Sequence, residues 1–134
     1  MDEAQILIET ITVDSEFRSV FGHFSVIQEN RNGMLLSARI DAQNFRLRES
    51  SPGYESDWHV AGDPTLIAVQ HGTIRITLRD GSYKDFTAGD TFIAADYLPA
   101  GVAFDPLLHG HKAAVVGDLA FQAVHVKLDN NQEG

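Results

Sequence analysis

With 134 residues the chain has the length of one ordinary domain, long enough to bury a real core and too short to hold two. Ten Lys and Arg stand against 19 Asp and Glu, a formal charge of −9, so the surface repels phosphate backbones and anionic lipid, and neither nucleic acid nor membrane is expected as a partner. Cysteine is absent, which removes disulfides and thiolate metal sites and leaves no need for an oxidising compartment.

The opening MDEAQILIET is acidic and has neither the positive region nor the apolar stretch of a signal peptide. No run approaches the roughly 18 apolar residues of a membrane span, so a cytoplasmic protein is expected. Ile6, Ile8 and Ile11 mark a strand over Gln5 to Val13. Ser15 to Phe24 has room for a helical turn, which Gly22 weakens. Met34 to Ile40 and Asn44 to Glu49 are strand candidates separated by Asp41-Ala42-Gln43. In the second of these, Phe45 and Leu47 alternate with Arg46 and Arg48. An inward apolar face makes a greasy pocket wall, and an inward basic face lets two arginines meet an acidic substrate, although solvated surface charge is the commoner use.

Further on, Ile74, Ile76 and Leu78 alternate with Thr73, Arg75, Thr77 and Arg79, the pattern of a half-buried strand. Asp80-Gly81 supplies a tight hairpin turn. The return strand passes through Tyr83 and Phe86, and Ala88-Gly89-Asp90 turns the chain into the apolar run Thr91 to Ala95. His111 to Val116 and Ala120 to Leu128 then flank Gly117-Asp118, with Val124, Val126 and Leu128 on one face. Short strands and frequent turns predict an all-β fold, sandwich or barrel, and pattern alone does not choose between them. The core falls at about residues 34–128 by these patterns, with an N-terminal strand and turn region at 1–33 and a loose tail at 129–134.

Gly53 to Gly72, GYESDWHVAGDPTLIAVQHG, resembles the first motif of the cupin superfamily: a Gly, a His-x-His pair, a Glu and a closing Gly. Gly53, His59 and Gly72 fall into register, while Ala61 and Thr65 stand at the second His and the Glu. The second cupin motif has an echo in Gly89 and in Pro99-Ala100-Gly101, with Phe104 where a metal His is expected. Asp57-Trp58-His59, Gly89-Asp90, Ala95-Asp96, His109-Gly110-His111 and Val116-Gly117-Asp118 are similar to a group of small, mostly uncharacterised microbial cupins. That resemblance covers roughly Phe45 to Leu128. It implies a single-domain cupin-type jelly roll of antiparallel strands, spanning 1–134, and makes His111 the counterpart of that group's His.

The resemblance further implies that His59 and His111 lie on facing strands, with His109 one strand step from His111 on the same face. Three imidazoles with an open position suit a divalent metal such as zinc, iron, nickel, copper or manganese. A ligand pocket lined by Phe45, Leu47, His59, Asp96, Tyr97 and Phe104 follows from the same alignment and strand reading, Asp96 and Tyr97 reaching the barrel mouth. His23 and His71 read as surface or packing residues. His125 should face away from the side that Val124 and Val126 share. Trp58, next to His59, belongs on the opposite face as a packing residue.

There is no phosphate loop, dinucleotide fingerprint, Gly-x-Ser-x-Gly elbow or His-Glu-x-x-His helix, so nucleotide-dependent and serine-hydrolase chemistry drop out. The expected function is small-molecule binding in the barrel interior, with a divalent metal on a non-standard His set. The alternative is a metal-dependent oxygenase, isomerase or lyase acting on a small organic or aromatic acid. Cupins commonly pair sheets or edge strands, and the strand Gln5 to Val13 is apolar enough to serve in a homodimer.

Overall fold

A strand whose side chains alternate in polarity buries one face and wets the other, so a chain made of such strands must pack sheet on sheet. The computed structural model describes residues 3–129, in which strands alternate with turns and loops and no helix occurs. In chain order the strands are β1 (Glu3–Val13), β2 (Ser19–Arg31), β3 (Met34–Ser37), β4 (Ala42–Ser50), β5 (Thr65–His71), β6 (Thr73–Thr77), β7 (Tyr83–Thr87), β8 (Thr91–Ala94), β9 (Lys112–Val116) and β10 (Phe121–Leu128). They form a seven-stranded sheet in the order β3-β2-β1-β8-β5-β10-β4 and a three-stranded sheet in the order β7-β6-β9. Every named pairing is antiparallel except β1 with β8, so the larger sheet is mixed.

One apolar cluster joins the sheets: Ile67, Val69, Phe92, Ala94, Phe121 and Ala123 from the larger, and Ile74, Ile76, Phe86, Ala113 and Val115 from the smaller. Phe86 and Phe92 stack across the gap with ring centres 4.1 Å apart. Ile11, Ile74, Phe92 and Phe121 are fully buried, and each contributes roughly 1.5–3 kcal/mol through removal from water.

The helical turn expected at Ser15 to Phe24 does not form. The Asp14 carboxylate accepts hydrogen bonds from the backbone N–H groups of Glu16 and Arg18 at 2.9 and 3.0 Å, closing a tight turn. From Ser19 onward the chain then pairs residue by residue with β1, Val13 opposite Ser19 and Glu3 opposite Glu29. Ladder pairing overrides a weak local preference here, and Val20 and Phe21 suit a strand. The strand expected over Gln5 to Val13 is β1, whereas most of the tail expected to be loose, residues 130–134, lies outside the described residues. Among the described residues no helix is long and apolar enough to cross a membrane.

Residues 54–59 run along the free edge of β9 without joining a named strand. Isolated antiparallel bridges tie Glu55 to Ala114 and His59 to His111. Ser56 N–H donates to Ala113 C=O at 2.8 Å, and Val115 N–H donates to Tyr54 C=O at 2.9 Å.

Candidate functional site

The bridge between His59 and His111 is where two sequence-distant histidines meet. His59 N–H donates to His111 C=O at 3.0 Å and His111 N–H returns a bond to His59 C=O at 2.9 Å. Residues directly opposite in an antiparallel pair share a face, and the two rings lie 4.5 Å apart between centres. This approach depends on Gly110, whose φ is +89°: a Cβ there would stand 2.8 Å from the backbone N and O of His59. Only glycine fits that conformation and that clearance.

Both rings are oriented through Nδ1. In His59, Nδ1 lies 2.9 Å from the carbonyl oxygen of Asp57, which only accepts, so Nδ1 carries the hydrogen. In His111, Nδ1 lies 2.6 Å from Oδ2 of Asp96. In its neutral form each ring therefore keeps its Nε2 lone pair for another partner. Asp96 is itself fully buried and satisfied three ways. Besides His111, its Oδ2 accepts from Ser19 Oγ at 2.6 Å and its Oδ1 from Ala61 N–H at 2.9 Å.

His59 and His111 line a cavity of about 210 Å³ between the two sheets. Its apolar wall is built by Ile67, Ile74, Ile76, Phe92 and Phe121, and its polar groups include Arg48, Thr65 and His125. Among the described residues no Asp or Glu lines it. His59 is exposed and His111 is buried, so the pair runs from the rim inward.

His109 does not join them. Asp105 N–H donates to its Nδ1 at 3.0 Å, which places the ring hydrogen of the neutral form on Nε2, the opposite tautomer to that of His59 and His111. The positive φ of Gly110 interrupts the alternation that would have put His109 and His111 on one face. Among the described residues no three His, Cys, Asp or Glu converge as a metal-holding group.

The other pocket candidates scatter. Phe45 and Leu47 are 68% and 76% exposed, so the apolar face of β4 points away from the cavity and the Arg48 face points inward. Asp96 stands behind His111 instead of on the wall. Tyr97 packs edge-on against Phe17 at 5.8 Å, and Phe104 sits 6.0 Å from the His109 ring. Trp58 lies under the Arg79 guanidinium, 3.9 Å from its ring centre, while Arg79 donates to the His109 carbonyl at 2.7 Å and 3.2 Å.

Two cavity residues carried a weaker sequence signal. Arg48 was one of two open readings of β4. His125 shares the parity of Phe121 and Ala123, both buried, and that parity decides its direction once β10 is known to pack by that face. Among the described residues its Nε2 is buried without a hydrogen-bond partner. Burial, followed by the charges of Arg48 and Arg46, pushes the His125 imidazole below its ordinary value. Burial also lowers the Arg48 guanidinium. The guanidinium donates through Nε to Ser50 Oγ at 3.0 Å and lies 5.2 and 5.1 Å from the ring centres of Tyr54 and Phe121.

No protein-family model matches the chain, and no curated protein matches it. Among solved structures it is similar to the conserved SPY1581 protein of unknown function from Streptococcus pyogenes, with 22% identity and a TM-score of 0.46 over 71% of this chain and 69% of that one. It is also similar to protein NMB1881 from Neisseria meningitidis, with 16% identity and a TM-score of 0.44 over 68% of this chain and 84% of the other.

Proposed function

We propose that this chain is a small cupin-type jelly roll that binds a small molecule in the cavity between its sheets. The observation that carries the reading is the His59–His111 pair: two adjacent imidazoles with both Nδ1 atoms engaged and both Nε2 lone pairs left for a ligand. Small-molecule sites are typically apolar hollows with a few convergent polar groups, and this cavity has that make-up.

A divalent metal is the second part of the proposal. The carboxylate of Asp96 on His111 Nδ1 is the kind of support that orients a metal-ligating imidazole. Two imidazoles fall one short of the three protein ligands usual at a catalytic zinc, so the bound molecule or water completes the shell. Zinc, iron, nickel and manganese are the ions in view; such an ion would polarise an oxygen of the bound molecule. This feature favours, as the second reading, a metal-dependent oxygenase, isomerase or lyase. We further propose that the protein works in the cytoplasm as a homodimer.

Metal content after purification without chelator, combined with thermal shift, tests these readings. Metal binding predicts stoichiometric metal that His59→Ala and His111→Ala remove. Metal-free binding predicts ligand stabilisation that persists in chelator. A metal content unaffected by both substitutions would sink the metal, and no ligand stabilisation under either condition would sink the pocket.

A further inference from the structure

Among the described residues the cavity carries positive and neutral polar groups but no acidic one, in a chain whose acids outnumber its Lys and Arg by 19 to 10. Among the described residues Arg75 pairs with Asp85 at 2.8 Å, Lys127 with Asp63 at 3.1 Å and Arg18 with Asp14 at 3.0 Å, while Arg39, Arg46, Arg79 and Lys112, like Arg48, form no ion pair; Arg48 differs from these four in lining the cavity. Arg48 is half-buried on the cavity wall and has no carboxylate partner among the described residues. Its Nε is occupied by Ser50 and its flanks by the Tyr54 and Phe121 rings. A guanidinium held this way keeps its remaining donors for a planar two-oxygen acceptor, and its fork geometry matches a carboxylate. The partnerless Nε2 of His125 lies on the same wall. Leaving such buried groups unpaired is unfavourable, so an acceptor that reaches both is selected when the His125 ring carries its hydrogen on Nε2.

We propose that the cavity selects a small organic carboxylate with a compact apolar body, its carboxylate on Arg48 and His125 and its body against Ile67, Ile74, Phe92 and Phe121. This rests on the reading of the cavity as a ligand site and adds the class of ligand. Lining acids would repel such a molecule, and none is present among the described residues; the aliphatic and aromatic wall excludes highly hydrated polyanions.

Benzoate and its neutral counterpart benzamide are the probes, added in chelator to the whole chain while the imidazole ¹⁵N and ring-proton resonances are followed by NMR. Benzoate is expected to move His111 and His125, to leave His23 and His71 in place, and to bind at least roughly tenfold more tightly than benzamide. Arg48→Gln should remove that preference, whereas Arg31→Gln, an exposed arginine on β2 that does not line the cavity, should retain it. Arg48→Lys keeps the charge without the fork and should weaken benzoate while leaving benzamide unchanged, which covers the case in which Arg48→Gln fails to fold. Equal binding of the two probes, or an unchanged preference in the Arg48 variants, would overturn the carboxylate and leave the pocket standing. If neither probe moves His111 or His125, or if His23 and His71 move equally with them, both readings fall.

Discussion

Asp96 is the residue on which the geometry of the site turns, because one buried carboxylate fixes His111, Ser19 and the backbone at Ala61 together. Asp96→Ala leaves three polar groups without their acceptor and is expected to cost about 3 kcal/mol in urea unfolding. Asp96→Asn keeps the shape but presents an amide N–H to His111 Nδ1, so the ring should switch to the Nε2–H tautomer, visible in its ¹⁵N shifts. His125 gives a pH signature. Its folded imidazole binds a proton less readily than the ordinary value near 6.5, so on acidification the unfolded chain is protonated first. Its contribution to stability is therefore intact above that value and is lost as pH falls below it toward the folded value. His125→Gln should flatten the urea-stability profile between about pH 7 and pH 5. An unchanged slope would mean that His125 is not held below its ordinary value.

At the scale of elements, most strands were legible because alternation and turn chemistry agree: Ile74, Ile76 and Leu78 with Asp80-Gly81 gave β6 and its hairpin to β7. The second strand was not, since Ser15 to Phe24 is too mixed in polarity for a clear period and its extended form comes from pairing with β1. His59 and His111 were found through short motifs, whereas the displacement of His109 follows from the positive φ of Gly110, which no side-chain pattern reports. The direction of β4 was undecidable from alternation alone, because Phe45 and Leu47 make as good an inner face as Arg46 and Arg48. Gly110→Ala forces a left-handed non-glycine residue and pushes a methyl group into the His59 backbone. It should lose at least about 2 kcal/mol in urea unfolding and separate the two imidazoles, with loss of the His59–His111 contact by NMR.

Across the whole molecule the two sheets are unequal, and that asymmetry leaves apolar surface uncovered. The outer parts of β1 and β2, together with β3, add nothing to the shared core beyond Ile11 and Phe21. Leu7, Ile27, Met34 and Leu36 lie on one face of this hairpin and strand by their register, and all are exposed. In the dimer proposed above this face meets a second copy, so light scattering should report a dimer that Ile27→Glu converts to monomer with the fold intact by circular dichroism. A clean monomer at high concentration would remove that part of the account. The cavity between the sheets is the ligand site proposed above. A crystal structure of protein purified without chelator and soaked in benzoate tests it most directly. Ordered density is expected between the sheets, with the carboxylate on Arg48 and His125 and the body against Ile67, Ile74, Phe92 and Phe121. A cavity closed by its own side chains, with benzoate absent or bound only on the outer surface, would contradict it.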